Sequence, residues 1–524
     1  MVGRAARVAL GAGICAWLLG GCLGELSVQQ PGTGGQGGAG GQGGGGSGGE
    51  PGGVDCHPAF CDATPVCSPS ASCASLGWSA RWGAVDQQRV HALASDGTRV
   101  ALAGTYNGQS FEMGEGSPKT LPLASPNYDY EAYVTLLDGN GVATWAAPVA
   151  LGIGYQPRTA YAVAFAGSDV VVAGTSSFTE GGIPDSDVFI RKFTPGMNDA
   201  IIDKATFQFG GDGLDEAVAV AASATGEFYV AGTITASSSK TVSCSAEVLP
   251  TSGMFVAGFS AAGTCQWFVQ AAGNVTPTAL VLQKNELRVV GHFEGTLTLP
   301  NGSAFTAKAG TTDSFILGLA HLSGAVLDSK QISAGSGKAV RAAAATSTSD
   351  GTLYIAGQLE GKTSVEPDLV SDGQLAAFVM PIGLENSWKR VFTGGQAQML
   401  GDVAGTSLAL TPAGALYFAG TFRESIDIDP ASPSGTFERA GANPFLAKID
   451  PASGELSWFD VFNGKGQTTF TRGFYVTTLQ TGIVLAGNWI TDFNFSEDGS
   501  KVLTIKGNGT SDEDIIAAKL TLDP

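Results

Sequence analysis

Apolar residues along this chain fall in short runs of four to eight, many of them β-branched, each closed off by Gly, Pro, Asp or Ser. The stretch from 187 to 232 is the clearest. Asp187-Val188-Phe189-Ile190 is followed by a Pro195-Gly196 turn, then by Phe207-Gln208-Phe209-Gly210, Ala217-Val218-Ala219-Val220 and Phe228-Tyr229-Val230-Ala231-Gly232. Runs of this length with these boundaries predict strands rather than helices. The last of them recurs as VALAGTY, VVVAGTS, FYVAGTI, LRVVGHF, LYIAGQL, LYFAGTF and IVLAGNW, around Gly104, Gly174, Gly232, Gly291, Gly357, Gly420 and Gly487. A fixed order of signals around a recurring glycine predicts a radial repeat, each copy a blade of four antiparallel strands.

Two further positions repeat with it. The strand after the glycine strand carries Tyr133, Phe189, Phe255, Phe315, Phe378, Phe445 and, in the last copy, Ile516; the next carries Trp82, Trp145, Phe207, Trp267, Trp388 and Trp458. These rings read as core between neighbouring blades, because aromatics bury the largest area per side chain. Successive glycines stand from 58 (Gly174 to Gly232) to 70 (Gly104 to Gly174) residues apart. That exceeds the roughly 40 to 50 of WD40 or kelch blades, and the surplus sits in the loop after the glycine strand. The chain enters the repeat at the Trp82 strand and leaves it after Asp514 to Leu520, so each end holds part of one copy. Docking the Trp82 strand beside the Ile516 strand would complete that copy, close a ring of seven, and remove the open edges that template aggregation.

The order Asp-x-Phe-Val-Ala-Lys-Leu-Asp, Gly, Trp, Ala-x-Ala-Val-Ala, Val-Tyr-Val-Ala-Gly resembles the β-propeller repeat of secreted and surface bacterial proteins. Asn443 to Asp450 with Gly454 and Trp458 is its best copy here. The resemblance covers about residue 78 to the end. It implies an all-β, seven-bladed β-propeller of four-stranded antiparallel blades, with no common catalytic residues. It also suggests that the Ala-Val-Ala-Val strand is innermost, so that the loops entering it crowd the axis. Those loops carry Arg89, Arg158, Asp215, Glu216, Lys338, Arg341, Asp402 and Arg472, which makes the axial face the expected binding site for a protein or polysaccharide partner.

Arg4 and Arg7 precede an apolar run from Val8 to Leu19, the layout of a secretory signal too short to span a membrane. Leu19-Gly20-Gly21-Cys22 resembles the bacterial lipobox, which implies lipidation of Cys22, a membrane anchor and, with Leu23 following, an outer-membrane address. Residues 1–21 are then the signal peptide, 22–53 a Gly-rich flexible tether, 54–76 a short Cys-rich segment and 77–524 the propeller. Cys56, Cys61, Cys67, Cys73, Cys244 and Cys265 remain in the exported chain and read as disulfides, with Cys244 and Cys265 the isolated pair. Zinc in the cluster, with His57, is the weaker reading, since the Cys-x-x-Cys knuckle is missing.

The formal net charge of −19 excludes nucleic acid as a natural partner. Only four histidines occur, His57, His91, His292 and His321, none at metal-ligand spacing, and no Gly-x-Ser-x-Gly elbow is present. Gly335-Ser336-Gly337-Lys338 lacks the first glycine and the following helix of a phosphate loop and reads as a turn. Acidic loops at Asp427 to Asp429, Asn494 to Asp498 and Asp512 to Asp514 are where calcium would sit, but none has EF-hand spacing. The sequence thus points to a monomeric, lipid-anchored binding scaffold needing no cofactor. Its rival is an extracellular hydrolase or lyase acting on a polysaccharide or ester, with axial carboxylates as acid and base.

Overall fold

The computed structural model describes residues 53–55, 72–83, 86–107, 110–114, 118–122, 130–149, 156–180, 183–236, 252–335, 338–361, 375–383, 388–394, 403–428, 436–465, 474–490, 492–494, 502–503 and 513–522. Among these the chain is all-β, with a single 3-10 turn at Met197–Asp199 and no α-helix.

The antiparallel ladders resolve into groups of four strands in chain order. The first comprises Gln88–Ser95, Val100–Tyr106, Glu131–Leu137 and Ala143–Pro148, and the second Gln156–Ala166, Asp169–Glu180, Ile183–Pro195 and Ile201–Phe209. The third comprises Glu216–Ala222, Phe228–Ile234, Gly253–Phe259 and the start of Cys265–Gln283. That long strand continues as the first of the fourth group, followed by Glu286–Thr298, Thr312–Ala320 and Val326–Ile332. Ala339–Ser347, Leu353–Glu360, Leu375–Ile382 and Arg390–Thr393 make the fifth; Val403–Leu410, Leu416–Asp427, Thr436–Ile449 and Leu456–Val461 make the sixth. The seventh joins both ends of the described chain: Phe474–Leu479, Gly482–Trp489, Asp514–Leu522 and Ser72–Trp82. Gly53–Asp55 adds a fifth strand beyond Ser72–Trp82. The first strand of each group packs against that of the next, and Phe474–Leu479 packs against Gln88–Ser95.

The recurring glycine has a physical reason. Opposite it, in the first six groups, the first strand bulges by one residue: Val90 faces Gly104 and Ala92 faces Ala103, which makes His91 the extra residue of the bulge. The same bulge falls at Tyr161, Val218, Thr278, Ala343 and Thr406. A Cβ on Gly104 or Gly174 would stand 1.9 Å from the carbonyl oxygen of Arg89 or Thr159. Close backbone approach therefore demands glycine, and the bulge adds local twist to each sheet. Bulged side chains also bridge groups: the Thr278 hydroxyl donates to the Ala342 carbonyl (2.9 Å), and that of Thr406 to the Phe474 carbonyl (2.7 Å).

Register corrects one expectation. Trp145, Trp267 and Trp458 lie opposite Leu136, Gly258 and Lys448, each three residues beyond the buried aromatic of the facing strand. In the seventh group that place, opposite Lys519, belongs to Trp78 rather than Trp82; in the second, opposite Lys192, it belongs to Ala205 rather than Phe207. Residues an even number apart share a strand face, so composition alone could not choose between them. The indole N–H groups of Trp78, Trp145, Trp267 and Trp388 donate to the carbonyls of Gly139, Ala200, His321 and Pro451, each in the last turn of the following group. Where Ala205 replaces the indole, the buried Lys192 ammonium reaches into the third group instead, donating to the Gly226 (2.9 Å) and Ala261 (2.6 Å) carbonyls.

The long loops after the glycine strands fold back as core. Phe111, Met113 and Leu121 from one hairpin join the cluster that also holds Trp82, Val484 and Ile515. Ile426, Ile428 and Phe437 fill the same role beside Phe445 and Phe459.

Candidate binding surfaces at the two ends of the first strands

The residues expected at the mouth lie at or just before the starts of the first strands, and those described are engaged within the protein. Arg89 pairs with Glu513 (2.5 Å) and Lys338 with Glu360 (3.1 Å). The Arg341 guanidinium donates to the Thr312 hydroxyl (3.1 Å), which donates to Glu294 (3.1 Å). Glu216 opens its strand opposite Thr233. The Arg158 side chain, Asp402 and Arg472 lie outside the described residues. The Lys338 amide donates to the Gly335 carbonyl (3.2 Å), consistent with a turn there.

Two groups in this region have displaced acidities. Burial pushes Asp215 up to about 7, against the hydrogen bonds it accepts from the amides of Gly211 and Thr235 and from the Thr235 hydroxyl; the Asp187 charge pushes the same way as burial. Those bonds aim both carboxylate oxygens at local turns, leaving Asp215 a structural acid rather than one poised for substrate. His292 is pulled down to about 4 by burial and then by the Arg341 charge, with Glu294 opposing. The charge acting on Asp215 is that of Asp187, and those acting on His292 are Arg341 and Glu294, so the two groups do not set each other's acidity as a coupled acid–base pair would.

Among the described residues no cluster of His, Cys, Asp and Glu is placed to hold a metal ion, and no helix is long and apolar enough to cross a membrane. Cys22, Cys56, Cys61, Cys67 and Cys244, and the side chain of Cys73, lie outside the described residues. Cys265 is disulfide-bonded.

The opposite ends of the first strands build a cavity that sequence reasoning missed. Turns that follow the first strands of the first, fifth, sixth and seventh groups border an open cavity of about 440 Å³, lined by Ser95 to Gly97, Ser347 to Ser349, Leu410 to Pro412 with Gly414, and Thr478 with Leu479. A second hollow of about 330 Å³ shares Gly97 and Leu479 with it and extends to Gly139, Asn140, Gln480 and Lys519. Asp96 is turned back on its own loop, accepting from the amides of Thr98 (2.9 Å) and Arg99 (2.7 Å) and pairing with the Arg99 guanidinium. Lys519 donates to the Gly139 carbonyl (2.9 Å); burial pulls its pKa down, with Asp138 opposing. The signal was present as hydroxyl-rich turns ahead of the glycine strands, such as Thr348-Ser349-Asp350-Gly351-Thr352.

No protein-family model matches the chain, and no curated protein matches it. Among solved structures it is similar to hydrazine synthase of Kuenenia stuttgartiensis, with 11% identity and a TM-score of 0.36 over 73% of this chain and 97% of that one. BamB from Moraxella catarrhalis is 13% identical with a TM-score of 0.32, over 68% of this chain and 95% of that one. The endosialidase of phage phi92 is 8% identical with a TM-score of 0.36, over 84% and 69%. At this level of likeness, function rests on the chain's own residues.

Proposed function

We propose that this chain is a lipid-anchored β-propeller of the bacterial envelope, a closed ring of seven four-stranded blades that binds a partner rather than transforming a substrate. Closure is supported by the ladder between Ser72–Trp82 and Asp514–Leu522 and by the packing of each first strand on the next, the last upon the first. The anchor rests on Leu19-Gly20-Gly21-Cys22 and the Gly-rich stretch after it, and an exported chain gives Cys265 its natural partner in Cys244. An outer-membrane address and a monomeric state belong to the same reading.

The observation that carries the binding role is the cavity shared by turns of four groups. Its volume falls in the range of ligand sites, and neither Asp215 nor His292 lines it. A photo-crosslinking residue at the exposed Ser349, introduced in the full chain on intact cells, should give a discrete adduct. The same residue at exposed Leu322, in the turn before the outermost strand of the fourth group, should not. Equal labelling at both positions, or none at either, would overturn the assignment.

A further inference from the structure

We infer that the cavity and the hollow beside it form one track that takes a linear, uncharged glycan strand. The inference deepens the binding role and rests on it. Three features of the track point to that chemistry. Its two parts meet at Gly97 and Leu479, so it runs from the turns around the first strands outward to Asn140 in the last turn of the first group. A length of this kind suits a chain, and the shared glycine lets a ligand approach the backbone.

The uncharged polar groups on the track are hydroxyls and carboxamides, those of Ser347, Ser349, Asn140 and Gln480 among them. Such groups both donate and accept, which is what a row of sugar hydroxyls requires. The apolar positions, Leu410 and Leu479, can meet the C–H faces of the rings. Both charges that border the track are already engaged, Asp96 by its own turn and Arg99, Lys519 by the Gly139 carbonyl. Among the described residues Lys519 is thus the one cation on the track and is already partly engaged, and a polyanion also meets the net charge of −19.

The test is calorimetric titration of the full-length protein in detergent with maltoheptaose, cellohexaose and chitohexaose, and with polygalacturonate as the anionic probe. At least one uncharged oligomer should bind saturably, with an affinity that stays within twofold between low and high salt. Asn140→Ala with Gln480→Ala should weaken it about tenfold, and Ser349→Trp should abolish it, each with an unchanged unfolding transition. Tighter binding of polygalacturonate, or no binding of any of the three oligomers, would overturn the inference. If no oligomer binds while the crosslinker at Ser349 still captures a partner, the glycan assignment falls and the scaffold role stands; if both fail, both fall.

Discussion

Asn488→Ala is the sharpest probe of the joint between the last and first groups. Asn488, on the strand Gly482–Trp489, accepts from the Val90 amide at 2.7 Å and donates to the Val90 carbonyl at 2.9 Å, and both residues are buried. The alanine leaves a buried N–H and a buried C=O without these partners. Each such group costs about 1–3 kcal/mol, so the expected loss is about 2–6 kcal/mol. Asn488→Asp keeps the acceptor for the amide but sets a carboxylate against the Val90 carbonyl, so it should not rescue. Urea midpoints at constant m report the loss, and hydrogen exchange at the Val90 amide reports it locally even where a chain of this size departs from two-state unfolding. A loss below about 0.5 kcal/mol, the scale of an ordinary surface substitution, with unchanged exchange at Val90 would refute the view that this pair clamps the joint.

Two other outcomes follow from geometry already described. Gly454 has φ +74 and a Cβ there would stand 2.3 Å from the Trp388 ring, whereas Gly383 has φ +89 with nothing within 4 Å. Gly383→Ala should cost only the left-handed penalty of about 1–2 kcal/mol; Gly454→Ala should lower the thermal midpoint clearly further, and equal shifts would mean that the indole is not a latch. His292, at about 4 in the folded protein against an ordinary 6.5, is kept neutral by burial and Arg341. Stability should therefore be lost as pH falls through 6.5 toward 4, by an amount on the order of 3 kcal/mol at most. His292→Gln should flatten that slope in unfolding midpoints taken at pH 7, 5.5 and 4.5.

What could be read from sequence was whatever repeats at single-residue resolution. The glycine series marks the second strand of every group, and in the first five a backbone carbonyl beside the bulge leaves no room for a side chain; a steric rule of that kind leaves its mark at one position. The pairing of the two ends was readable too, since each held part of a four-strand pattern. Register was not: Trp78 and Trp82 lie on the same strand with centroids 6.3 Å apart, and only the ladder to Lys519 says which is the latch. The track left only a faint mark, the hydroxyl-rich turns ahead of the glycine strands. Those turns are chemically ordinary one by one, and they become a site because four groups bring Ser95, Ser349, Thr411 and Thr478 to one place.

The ladder between Ser72–Trp82 and Asp514–Leu522 also sets a clock on assembly. Arg81 and its ion-pair partner Asp514 stand 433 residues apart, so this sheet has to wait until nearly all of the intervening chain has emerged. Throughout that interval Ser72–Trp82 has its partner edge uncovered, a sticky template in a crowded compartment. Slow final zipping, dependence on a holding chaperone, and dimers made by exchange of Asp514–Leu522 between two molecules are the failure modes such an order of events creates.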